Sequence, residues 1–268
     1  MRKYFLTTLV TTIAAIAGQA DGFRPLVILN DAPEMVSESP DAEIQKYREH
    51  LGALSKNDSL VLERFDQFAQ SLDALYREEH ALTWEQFTKI LSALDFAAEK
   101  HQFQTRKNKA ETPYISHPIG VANNLMTIGE VKDPAVIIAA LLHDTVEDTQ
   151  TTLDEISERF GNEVSGYVNE VSDDKSLSKE QRKRLQVINA SHKSTGAAQI
   201  KFADKLYNLT DLVNNTPEGW SRARIDQYFE WAESVVNRLP ACNPELKQAV
   251  SQVINQYWES QDKSAAKK

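Results

Sequence analysis

The sequence predicts an all-α protein, and three observations carry that reading. Glycine and proline are scarce, nine each in 268 residues, while Ala, Leu, Glu, Lys and Gln, the strong helix formers, are plentiful. Apolar residues recur at helical spacing, as in Phe65, Phe68, Leu72 and Leu75. Helix-start signals punctuate the chain at Thr83-Trp-Glu-Gln86, Asp133-Pro134, Thr152-Leu-Asp-Glu155 and Asn243-Pro-Glu245.

The elements follow in order. Met1-Arg-Lys3, the apolar stretch Tyr4 to Ala17 and the small-residue ending Gly18-Gln-Ala20 have the three regions of a secretory signal peptide, assigned to residues 1–20. The apolar stretch is too short and too rich in threonine for a secure membrane span. The expectation is a mature chain without stable membrane insertion, secreted or periplasmic; an uncleaved anchor, a presequence or a cytoplasmic chain is the alternative. Residues 21–82 read as a linker, with three prolines between Phe23 and Pro40, followed by a helical extension over 41–54 and 58–79 that packs on the body or mediates a contact. The capping box at Thr83 opens the main domain, 83–258. Ser172 to Ser178 is the expected flexible loop, and residues 259–268 the frayed tail. No internal repeat is visible.

Composition bounds the function. A chain that is 41% hydrophobic and 26% charged builds one medium domain with an ordinary core. A net charge of −9 and a pI near 5.3 argue against a nucleic-acid partner, so an anionic substrate has to meet a local basic pocket. The single cysteine, Cys242, cannot form an internal disulfide and leaves the compartment open.

Chemistry concentrates in Ala139-Ala-Leu-Leu-His-Asp-Thr-Val-Glu-Asp-Thr149, where an apolar helical run ends on four ionisable groups, His143, Asp144, Glu147 and Asp148. Burying such groups unpaired is costly, and a metal ion or charged ligand compensates. Imidazole and carboxylate are good ligands for a divalent cation, and neighbouring carboxylates can orient an attacking water and take its proton. Successive helical residues point about 100° apart, so further ligands must come from elsewhere. His117, in Thr112-Pro-Tyr-Ile-Ser-His-Pro118, and Asp204, in Ile200-Lys-Phe-Ala-Asp-Lys-Leu-Tyr-Asn-Leu209, supply them, with Asn208 one turn after Asp204. Alone, His117 reads as a helix start and Asp204 as a buried acid bonded to a backbone amide. The ordered set favours a metal site.

His117, His143-Asp144 and Asp204 resemble the H…HD…D signature of the HD metal-dependent phosphohydrolases. The surrounding strings, with Arg106-Lys107, Thr216-Pro-Glu-Gly-Trp-Ser221 and Tyr228-Phe-Glu-Trp-Ala232, resemble the hydrolase domain of the RelA/SpoT homologues and are most similar to the metazoan-type small alarmone hydrolases, over about residues 85–255. The resemblance implies an HD-domain helical bundle preceded by the helical extension. It implies Mn2+ held by His117, His143, Asp144 and Asp204, the Glu147 and Asp148 pair at the attacking water, and removal of the 3′-pyrophosphate of ppGpp or pppGpp. Arg106, Lys107, Lys179, Asn208, Arg224 and Tyr228 match positions around the nucleotide. One departure falls in the first loop, where Gln102-Phe-Gln-Thr105 stands in place of a frequent glycine. Metazoan-type members are also described as NADPH phosphatases, which makes NADPH the rival substrate; a non-catalytic nucleotide-binding protein is the rival of another class. Of the basic residues on Lys179 to Arg184, only Lys179 is expected in the pocket, with Arg182, Lys183 and Arg184 on a solvated face.

Overall fold

The computed structural model describes residues 39–265; the expected export signal and nearly all of the linker lie outside the described residues. Twelve α-helices are found among the described residues: α1 (Pro40–Leu54), α2 (Ser59–Arg77), α3 (Trp84–His101), α4 (Ser116–Thr127), α5 (Pro134–Leu142), α6 (Thr145–Asp148), α7 (Leu153–Phe160), α8 (Asn162–Val171), α9 (Lys179–Asn189), α10 (Thr195–Asn214), α11 (Arg222–Val236) and α12 (Pro244–Ala265). The only extended pairing among them is a single bridge between Thr105 and Pro113. None of the described helices is long and apolar enough to cross a membrane.

The start signals act as the sequence predicts. Thr83 and Gln86 form a reciprocal capping box at α3, and Ser178 and Gln181 do the same at α9. Asp133 accepts the Ala135 amide while Pro134 occupies the first turn of α5, where no intrahelical N–H is lost. Pro118 is tolerated in α4 for the same reason, because it still lies in the first turn of a helix that begins at Ser116. Pro40 likewise opens α1, one residue beyond the Ser39 cap. α12 extends to Ala265, into the segment expected to fray, since neither glycine nor proline interrupts it.

Two helices form the middle of the bundle. α5 is apolar all round and buried from Val136 to Leu142, sandwiched by α3, α4 and α8. α10 is buried over most of its length and packs on α4 and α12. Each of the many fully buried Leu, Ile and Phe side chains contributes about 1.5–3 kcal/mol relative to exposure. The described residues belong to one compact unit, and the extension packs on the body: α1 lies against α3 and α2 against α4. Phe65, Phe68 and Leu72 of α2 are fully buried there.

Candidate active site

The central helices bring the four predicted ligands together. His117 stands in the first turn of α4, His143 caps the end of α5, Asp144 precedes α6, and Asp204 sits midway along α10. His117 Nε2 lies 3.2 Å from His143 Nε2 and 3.4 Å from both Asp144 Oδ2 and Asp204 Oδ1. His143 Nε2 is 3.1 Å from Asp144 Oδ2 and 3.9 Å from Asp204 Oδ1. Ligand atoms each about 2.0–2.2 Å from one ion stand about 3.0–3.5 Å from one another, so the spacing of His117, His143 and Asp204 fits a shared cation, with Asp144 within reach of both imidazoles.

The donor set fits the same conclusion. The Nδ1–H of His143 donates to the Ala140 carbonyl at 2.8 Å, which leaves the Nε2 lone pair facing the cluster. Burial opposes charge on His143, but Asp144 and Asp204 outweigh it and push its pKa up to about 9. Burial works against ionised Asp144 and Asp204 too, yet His143 and His117 hold Asp144 well below the usual carboxylate range, and Lys205 and His117 do so for Asp204. A buried carboxylate, Asp204, and a largely buried one, Asp144, that remain ionised beside two imidazoles make a site that prefers a cation. Around it, Tyr114 Oη donates to Asp144 Oδ2 at 2.6 Å, buried Lys205 donates to Asp204 Oδ2 at 2.9 Å, and Asn208 Nδ2 donates to Asp204 Oδ1 at 2.6 Å.

Beside the cluster opens a cleft of about 560 Å³, lined in part by Arg106, Lys107, Asp148, Lys175, Asn208 and Tyr228. Arg106 Nη2 donates to Asn208 Oδ1 at 3.0 Å and to Asp211 Oδ2 at 2.8 Å, so the guanidinium is fixed at the cleft wall before any substrate arrives. The carboxylate pair divides. Asp148 lines the cleft, whereas Glu147 accepts the Asp173 amide at 3.1 Å and faces Lys175 at 3.1 Å and Arg182 at 3.5 Å. Burial, with help from Asp144 and Asp173, raises the Glu147 pKa, against the pull of the Asp173 amide and Lys175.

Lys179 and Arg224 line a second cleft, of about 470 Å³, which shares Trp220 and Tyr228 with the first. The Arg224 guanidinium lies 4.0 Å from the centre of the Trp220 ring. The solvated-face expectation for α9 is corrected for two residues. Arg182 turns inward to Glu147 of α6, and Lys183 lies 4.5 Å from the centre of the Trp231 ring, because α9 packs on α11 along the Lys183 face. Sequence reasoning also missed Lys175, which joins Glu147 and Asp148 from within the loop expected to be flexible; its Nζ is 2.7 Å from Asp148 Oδ1. It missed Gln104, whose Nε2 donates to the Asp148 carbonyl at 2.7 Å. The departure at Gln102 to Thr105 is thereby accommodated: Gln104 ties the loop down, and Phe103 projects outward, 91% exposed.

A His, a His-Asp pair and a distant Asp on three packed helices, beside a cleft with cationic walls, define an HD-type metal-dependent phosphohydrolase. Residues 93–229 match the HD domain family, and the chain belongs to it. Within that family it is similar to the human guanosine-3′,5′-bis(diphosphate) 3′-pyrophosphohydrolase MESH1, 54% identical over 168 residues that make up 63% of this chain and 94% of that one. The Drosophila melanogaster MESH1 is 47% identical over the same shares. A solved structure of a metazoan orthologue of SpoT that hydrolyses ppGpp superposes with a TM-score of 0.62 at 47% identity, covering 63% of this chain and 95% of that chain. Over a third of this chain therefore has no counterpart in these relatives.

Proposed function

We propose that this chain is a Mn2+-dependent guanosine-3′,5′-bis(diphosphate) 3′-pyrophosphohydrolase. The observation that carries the reading is the four-donor cluster beside a cleft walled by Arg106, Lys107 and Lys175, in a chain that is 54% identical to human MESH1 over 168 residues. His117, His143, Asp144 and Asp204 would hold the ion, and mixed nitrogen and carboxylate donors suit Mn2+. When bound, a divalent ion supplies Lewis acidity that stabilises negative charge on the oxygens around the reacting phosphorus.

The chain's own residues supply the rest. Glu147, whose raised pKa suits a proton acceptor, and Asp148, on the cleft wall, orient the attacking water and take its proton. The bond between the 3′ oxygen and phosphorus breaks as the water oxygen bonds to phosphorus; the electron pair stays on the 3′ oxygen, which takes up a proton as GDP departs, and the attacked phosphorus leaves with its new oxygen as pyrophosphate. Arg106, held in place by Asp211 and Asn208, offsets the charge of the departing group without reorganising. Lys179 and Arg224, across the shared wall of Trp220 and Tyr228, take the remaining phosphates. A purely nucleotide-binding protein needs no such paired carboxylates beside a cation site. The test is to incubate the protein with Mn2+ and either ppGpp or NADPH and resolve the products by ion exchange. Release of GDP and pyrophosphate from ppGpp is expected; phosphate from NADPH with ppGpp untouched would replace the substrate.

A further inference from the structure

The two histidines of the cluster are held in different ways. His143 is fixed by its hydrogen bond to the Ala140 carbonyl, the usual arrangement for a ligating imidazole. His117 Nδ1 is buried without a hydrogen-bond partner, so on the side away from the cluster its ring is held by packing. The ring centres around it are those of Tyr114 at 5.8 Å, His143 at 5.0 Å and Tyr207 at 4.8 Å. Tyr207, the nearest, lies in a slot opened by Gly120, one helical turn past His117. A Cβ at that glycine would stand 2.1 Å from the tyrosine ring and 3.0 Å from Arg64 Nη1.

Arg64 belongs to α2, outside the residues that match the HD family. Its guanidinium carbon lies 4.8 Å from the centre of the Tyr207 ring, and among the described residues it makes no ion pair or hydrogen bond. A partly buried arginine without a carboxylate partner, seated on an aromatic face, is placed for a cation–π contact. Arg106 approaches the same ring to 5.6 Å from the cleft.

We infer that Arg64 is a positioning residue: it holds Tyr207, Tyr207 holds the His117 ring, and the N-terminal helices are thereby part of the cation site. The inference rests on the assignment of His117 as a ligand. Mn2+ is titrated calorimetrically into the full chain and into Arg64→Ala, Arg64→Met and Arg64→Lys, with helix content followed by circular dichroism. Methionine keeps the apolar stem and removes the charge. The Ala and Met variants should bind Mn2+ about tenfold more weakly, the scale of losing an outer support of a ligating histidine. Lys should recover most of the affinity, and the slower hydrolysis of the Met variant at low Mn2+ should be restored by excess Mn2+. Native Mn2+ affinity in folded Arg64→Met would overturn the inference, even if Arg64→Ala failed to fold. A wild-type chain that binds no divalent ion would overturn the ligand assignment instead, before any variant is compared.

Discussion

Gly120→Ala adds one methyl group where α4, Tyr207 and Arg64 meet. The new carbon would lie 2.1 Å from Tyr207 Cε2 and 2.5 Å from Cδ2, where ordinary carbon contacts stand at about 3.5–4.0 Å. The ring must therefore retreat by more than about 1 Å into a packed interior. Such overpacking costs about 1–3 kcal/mol, against a helix-propensity gain of about 0.5–1 kcal/mol for replacing a helical glycine. A net loss near 1–2 kcal/mol lowers Tm by about 2–8 °C in a chain of this size. Gly166, in α8, is the internal control, because nothing lies within 4 Å of a Cβ built there. Gly166→Ala should keep or raise Tm, while Gly120→Ala lowers it and weakens Mn2+ binding as the His117 ring loses its wall. Thermal melts followed by circular dichroism, with Mn2+ calorimetry, measure both. If Gly120→Ala melted at or above the wild-type temperature with native Mn2+ affinity, the packing argument around His117 would be wrong.

The remaining predictions concern chemistry. Glu147→Gln keeps an acceptor for the Asp173 amide but removes the proton acceptor, so kcat should fall about a hundredfold with Mn2+ affinity unchanged; a parallel loss of Mn2+ would make Glu147 a ligand. Arg224→Ala should raise KM for ppGpp and leave bound Mn2+ as it is, and an unaltered KM would reduce Arg224 to a partner of Trp220. Since His143 must lose its proton to bind a cation and its pKa is pushed up to about 9, the proton competes below that pH. Mn2+ affinity should then fall by about tenfold per unit as pH drops below 9, and calorimetry showing no dependence between pH 6 and 8, roughly, would contradict it.

What was legible in the sequence were features whose meaning is set by residue type and local spacing. Caps at Thr83, Asp133 and Thr152 mark helix starts because their oxygens can reach amides two or three residues on. His143 and Asp144 at the end of an apolar helix announce a site because a core has no packing use for them. The residues missed depend on contacts between distant segments. Lys175 looks like any loop lysine until the chain after α8 folds back over Glu147 and Asp148. Arg182 looks solvated until the fold sets α9 beside Glu147 of α6. Arg64 carries no local signal at all, since its partner Tyr207 is on the distant α10 and the slot between them is made by the absence of a side chain at Gly120.

The proposed activity requires four side chains, His117, His143, Asp144 and Asp204, to act as one ligand set. Mn2+ per chain after exhaustive dialysis, measured with pyrophosphate release from ppGpp for wild type and Asp144→Ala, tests it most directly. The wild-type chain should retain one Mn2+ and turn over ppGpp; Asp144→Ala, with helix content kept, should retain none and release no pyrophosphate. An Asp144→Ala chain with full Mn2+ occupancy and undiminished turnover would contradict the account at its centre.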